Sequence, residues 1–333
     1  MAEPAEQILH ANVRYHDLAA QHYDSKWGIN YGEVGQAQVV GKLGKALGRE
    51  PGVFERGLEI GAGTGYFTLN LMRAGVLREA VATDISPGML EALSESAGEL
   101  GLDVQTAVCE ASELPFEDAS FDLVFGHAVL HHLPDLARAF EEFRRVLRPG
   151  GMVAFCGEPS RYGDRLSAVP KRGALALAPL WRAAMGASER ASNGTGGASA
   201  EEDRLEQVVD VHAFRPGDLS GHVTEAGLAS VRIAGEELAA SLFGWANRTL
   251  EATADPADVP WAWRVYAYRG YLALQRLDRA LLEPRLPAAL FYNLLVSARV
   301  PAQGGSAARP HPRSARGRGL RAAAHALGRP ADT

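Results

Sequence analysis

From residue 57 onward, short apolar runs alternate with longer amphipathic stretches, and this alternation constrains the fold more than any other feature. The runs fall at 57–60, 80–83, 104–108, 121–125 and 152–156. Between them, 66–74, 87–100 and 136–147 carry apolar side chains at helical spacing. Strands separated by helices of this length pair in parallel, because the chain must cross back over the sheet before it adds the next strand. The pattern predicts an α/β chain built on a doubly wound sheet.

The rhythm breaks after Glu158-Pro159. Residues 160–212 hold an Ala- and Leu-rich amphipathic stretch and a polar Gly/Ser-rich run at 188–203 that reads as a surface loop. A helix is then expected from Phe214-Arg-Pro-Gly-Asp218 to about Gly227, and a sixth strand at 230–233. Residues 237–285 read as helical and carry Phe243, Trp245, Trp261, Trp263, Tyr266, Tyr268 and Tyr271. A last strand at 289–300 is expected to run antiparallel at or near an edge. The expected organisation is a helical N-terminal cap at 1–50, a domain at 51–300 with insertions at 160–212 and 237–285, and a tail at 301–333. From Ala302 that tail has six arginines against one aspartate and no apolar period, and is read as a disordered basic extension.

A hydrophobic content of 47% suffices for a large core, while a net charge of −6 gives no general pull toward nucleic acid or an anionic membrane. Cys109 and Cys156 are the two cysteines, too few for a disulfide framework or a cysteine-rich metal site. No apolar run reaches the roughly 18–20 residues that cross a bilayer, and residues 1–10 lack the apolar core of a secretion signal. A cytoplasmic chain without stable membrane insertion, metal or nucleic-acid partner is expected.

Three motifs carry the chemistry. Glu59-x-Gly61-x-Gly63-x-Gly65 closes a strand and opens a helix, so bare backbone and a helix N-terminus face whatever binds there. Nicotinamide enzymes use a similar turn, but their fingerprint ends on Gly or Ala where this chain has Tyr66. Glu59 suits a cationic amino group better than a pyrophosphate. Asp84 ends the second strand, where a carboxylate can accept hydrogen bonds from ribose hydroxyls; the alternative is a helix cap near Pro87. The third motif runs from Cys109-Glu110-Ala111 through Leu114-Pro-Phe-Glu-Asp-Ala-Ser-Phe-Asp122 to Leu130-His-His-Leu-Pro-Asp135, and Arg148-Pro-Gly-Gly151 follows.

With these motifs in this order, residues 57–160 resemble the class I, Rossmann-like, S-adenosylmethionine-dependent methyltransferases. The closest group includes ubiquinone/menaquinone-biosynthesis and natural-product enzymes. The resemblance implies a seven-stranded sheet with a reversed last strand, and S-adenosyl-L-methionine as cofactor. It implies that Glu59, Gly61, Ala62, Gly63 and Thr64 lie along the methionine part and that Asp84 holds the ribose. Ile85 and Met89 would pack near the adenine, and Glu110 and Ala111 would meet its edge. Glu110 departs from the more usual aspartate. His127 would face the methionine part or the reaction centre. Tyr15 and Tyr23-Asp24 resemble a Tyr-Asp feature that closes over the cofactor, with Tyr23 the candidate contact.

A sulfonium methyl donor leaves the protein to align the reactants, exclude water and remove a proton where the acceptor needs it. Candidate bases are His127, His131 and His132, with Glu158 as an alternative base or a substrate contact. The insertions are expected to recognise the acceptor, a bulky hydrophobic small molecule: a quinone, polyketide, phenolic or lipid-like metabolite methylated on oxygen or carbon. Most of the insertion's aromatics are expected in a helical core and a few in the pocket. Two rivals are a nicotinamide-dependent oxidoreductase and a non-catalytic cofactor-binding protein.

Overall fold

The structure, a computed structural model, describes residues 12–14, 16, 29–190 and 212–302. Seven strands form one sheet: β1 (Phe54–Ile60), β2 (Leu77–Asp84), β3 (Gln105–Val108), β4 (Phe121–His127), β5 (Leu147–Pro159), β6 (Ala229–Glu236) and β7 (Asn293–Arg299). Their order is β3-β2-β1-β4-β5-β7-β6. β7 runs antiparallel to both its neighbours, and the other pairs are parallel. The doubly wound sheet with a reversed last strand is therefore present, and β7 lies one place in from the edge. It begins at Asn293, later than the apolar run suggests, because Pro287 opens a short 3-10 turn at Ala288–Leu290.

Strand side chains alternate between two cores, as a half-turn per residue requires. In β4, Val124 points to one side and Leu123 and Phe125 to the other, and a register irregularity between Phe121 and Leu123 puts Phe121 on the side of Val124. The first side is covered by α4 (Leu136–Val146) through Phe140 and Phe143, and by α6 (Pro216–Glu225) through Leu219 and Val223. The second is covered by α1 (Glu33–Leu47) through Val39 and Leu43, and by α2 (Tyr66–Arg73) through Phe67 and Leu71. α3 (Pro87–Glu99) seals the β2 flank with Leu90 and Leu93.

The Leu114-Pro-Phe segment is held by a buried clasp. Glu142 accepts a hydrogen bond from the Leu114 N–H at 3.0 Å. Arg145 donates to the Leu114 and Phe116 carbonyls at 2.9 and 2.7 Å. The Arg145 hydrogen bonds, outweighing the cost of desolvation, hold the Glu142 carboxyl below the usual carboxylate range. This motif is structural: it aims β4 and the segment that follows it.

The remaining helices are α5 (Arg161–Met185), α7 (Ala239–Ala252) and α8 (Trp261–Leu277). Among the described residues no helix is long and apolar enough to cross a membrane.

Candidate active site

The carboxyl ends of β3, β2, β1, β4, β5 and β6 open onto one cavity of about 1180 Å³. That space exceeds what one drug-sized ligand needs and admits a nucleoside cofactor with an acceptor beside it. One half is walled by the segments after β1, β2 and β3. The other is walled by the segments after β4, β5 and β6, and by α7 and α8.

In the first half, Gly61, Ala62, Gly63 and Thr64 turn the chain from β1 into α2. Gly61 and Gly63 both have left-handed backbone angles, φ 61° and 52°. A Cβ on Gly61 would collide with the Val129 side chain, whereas one on Gly63 would meet nothing within 4 Å. Gly61 thus closes protein against protein, and Gly63 presents bare backbone to the cavity. Gly61→Ala is expected to lower unfolding free energy by about 2–4 kcal/mol, from strain and overpacking together. Gly63→Ala should cost stability only its conformational strain, about 1–2 kcal/mol, while weakening ligand binding more than tenfold. Denaturant melts and titration calorimetry on both variants check this split.

Glu59 is buried at the end of β1, and its carboxylate accepts from the Thr68 N–H at 2.9 Å and from the Thr68 hydroxyl. Burial pushes its pKa up to about 8; the Thr68 hydrogen bonds oppose the rise and neighbouring Asp84 adds to it. Asp84 accepts from the Gly63 N–H and the Ser86 N–H, both at 2.9 Å. The cap of α3 is instead Ser86, whose hydroxyl accepts from the Met89 N–H. Asp84 therefore ties the glycine turn to β2 and faces the cavity. Ile85, Glu110 and Ala111 line the same half, with Glu110 accepting from the Ser112 hydroxyl at 2.7 Å. Met89, in the first turn of α3, is fully buried and does not itself line the cavity. Tyr23, with Tyr15 and Asp24, lies outside the described residues. Cys109 lies just past β3 on the cavity wall, and burial pushes its thiol up to about 11, so it is an unreactive wall residue.

In the second half, Glu158 is fully buried at the end of β5. It accepts from the backbone N–H groups of Val129, Leu130 and His131 at 3.0, 3.0 and 3.2 Å. Its Oε2 also meets His131 Nδ1 at 2.9 Å. Three backbone donors require an acceptor carboxylate, so Nδ1 carries a ring proton and donates it to Glu158. The His132 ring lies against His131, with centroids 3.9 Å apart and the planes tilted by 41°, and it meets His16 edge-on at 5.8 Å. His127 is stacked on Phe67 at 4.9 Å. Burial, assisted by Lys42, lowers its pKa to about 4. His127 is therefore a neutral and weakly basic ring on the cavity wall.

The acceptor half is more polar than its aromatics suggested. Trp245, Tyr268 and Tyr271 line it, whereas Trp263 packs on Trp181 and Tyr266 on Phe243. Behind Tyr271 lies a charge network invisible to sequence spacing. Tyr271 and Gln275 donate to Glu237 at 2.6 and 2.8 Å, and Lys42 bridges Glu236 and Glu237. Burial alone would raise the Glu237 pKa; Lys42 and these two hydrogen bonds hold it below the ordinary carboxylate value. Glu237 also sits at φ 62°, a strained angle for a non-glycine residue that the network holds in place.

Comparison with known proteins agrees with this geometry. Residues 58–155 match the family model described as "Methyltransferase domain". A malonyl-[acyl-carrier protein] O-methyltransferase from Methylococcus capsulatus is 34% identical over 209 residues, covering 62% of this chain and 67% of that protein. A demethylmenaquinone methyltransferase from Staphylococcus aureus is 40% identical over 107 residues, covering 32% of this chain and only 44% of the relative. Among solved structures, Haemonchus contortus phosphoethanolamine N-methyltransferase 2, in complex with phosphomonomethylethanolamine and S-adenosylhomocysteine, shares the fold. It superposes with a TM-score of 0.51 at 18% identity, over 87% of this chain and 60% of that one. The bare turn at Gly63, the carboxylates at Glu59 and Asp84 and the room beside them fit a nucleoside cofactor bearing an amino acid. The chain belongs to the S-adenosylmethionine-dependent methyltransferases.

Proposed function

We propose that this enzyme methylates an oxygen of phenol, enol or quinol type on a flat, hydrophobic small-molecule acceptor, with His131 as general base. The carrying observation is the buried Glu158–His131 pair at the cavity wall. An amine acceptor arrives neutral and needs no base, whereas a hydroxyl must lose its proton. Of the two relatives, the one named for demethylmenaquinone suits the aromatic wall of Trp245, Tyr268 and Tyr271.

When bound, the cofactor supplies an electrophilic methyl group on a sulfonium. In this reading, residues 61–64 and Glu59 hold its methionine part, Asp84 its ribose, and Ile85, Glu110 and Ala111 its adenine. His127 separates that half from the acceptor. Glu158 fixes the His131 ring and the turn that carries it, and α7 and α8 exclude water and stack on the acceptor.

The test is incubation with S-adenosylmethionine and a panel of hydroxylated naphthalenes and quinols, read by product mass. One methyl gained on oxygen supports the reading; gain only on ring carbon, located by fragmentation, or no gain on any member overturns it. Asp84→Ala should weaken S-adenosylhomocysteine binding by about 1–3 kcal/mol through lost charge-assisted hydrogen bonds. Unchanged affinity in calorimetry would show that Asp84 serves only the glycine turn.

A further inference from the structure

We propose that Asn12 reads a second oxygen on the acceptor, next to the one that is methylated. Asn12 is 1% exposed and lines the cavity, yet neither its Oδ1 nor its Nδ2 has a hydrogen-bond partner. A buried carboxamide with both ends unsatisfied is costly, and structural asparagines do not stay that way. Exchanging the two amide atoms changes nothing, since both lack partners.

Its place tells what it meets. Asn12 and His16 are one helical turn apart, so they share a face, and both line the cavity. His16 meets His132, and His132 lies against His131. Asn12 therefore belongs to the histidine side of the cavity, where the acceptor's reacting oxygen would lie. A carboxamide offers one donor and one acceptor side by side. The complementary group is a pair of neighbouring oxygens, as in a catechol, a hydroxyquinone or an enolised dicarbonyl, where a single phenol would leave one amide atom unpaired.

This inference rests on the acceptor reading above but not on His131 as the base, so its test measures binding and not turnover. Protein saturated with S-adenosylhomocysteine is titrated with 2,3-dihydroxynaphthalene, which has two adjacent oxygens, and with 2-naphthol, which has one. Wild type is expected to bind the diol at least tenfold more tightly. Asn12→Leu should erase that preference by weakening the diol alone, leave S-adenosylhomocysteine affinity within twofold, and hold or raise the melting temperature of the ligand-free protein. Equal affinity of wild type for the two naphthols overturns the proposal, as does an unchanged preference in Asn12→Leu. A tenfold loss of S-adenosylhomocysteine affinity would reassign Asn12 to the cofactor. A lower melting temperature with both naphthols weakened alike would make it structural. Failure of wild type to bind either naphthol removes the flat-acceptor reading along with this one. Intact diol preference beside undiminished turnover by His131→Ala removes only the role of His131.

Discussion

Glu59→Gln is expected to weaken S-adenosylmethionine binding by roughly 3–5 kcal/mol, the cost of breaking a buried ion pair, while making the ligand-free protein more stable above pH 8. Both effects have one cause. Burial raises the Glu59 pKa to about 8, so at neutral pH the ligand-free carboxyl is mostly protonated. A raised carboxyl contributes stability that is complete below its unfolded value, 4.5, and is lost as pH climbs through 8. The neutral amide escapes that loss. The cofactor's ammonium needs the ionised form, so binding at pH 7 must expel most of one proton, and wild-type affinity should fall up to about tenfold for each pH unit below 8. Calorimetry in two buffers of different ionisation enthalpy measures the proton directly. Affinity of the wild type that does not change between pH 6 and 8 would place the ammonium elsewhere.

His131→Ala is expected to lower turnover by about a hundred- to ten-thousand-fold, the usual range for a general base, with S-adenosylhomocysteine affinity within twofold of wild type. Glu158→Gln should do more damage. Its amide nitrogen would face backbone N–H groups of Val129, Leu130 and His131 that now find a carboxylate. Two donors facing each other in a buried site cost about 1–3 kcal/mol, so this variant should lose both turnover and thermal stability. His132→Ala should keep most of the rate, because His131 is the ring that Glu158 orients. Single-turnover kinetics on the three variants separate these outcomes, and a wild-type rate in His131→Ala would remove the base.

The sheet and the glycine turn were legible because their signals are local. Strand period, helix period and the glycine turn each span a few residues, and Asp84 is recognisable from its place at a strand end. Where the partners lie far apart in sequence, the reading stopped short. Glu158 read as a possible base; its role as anchor depends on backbone donors 27–29 residues away. The Lys42–Glu237–Tyr271 network joins α1, the end of β6 and α8, positions up to 195 residues apart from Lys42 to Glu237 alone. No periodicity marks such a pairing. Asn12 carried no motif at all; only its burial without a partner draws notice.

The division of labour along the carboxyl edge of the sheet is tested most directly by one assay. Wild type and His131→Ala, each saturated with S-adenosylmethionine carrying a deuterated methyl group, are offered the hydroxylated naphthalene and quinol panel, and products are weighed by mass spectrometry. The expected result is transfer of one deuterated methyl to an acceptor oxygen by wild type, and loss of that transfer in His131→Ala with cofactor binding intact. Tight cofactor binding with no methylated product from any member of the panel, or equal transfer by the two proteins, would contradict it.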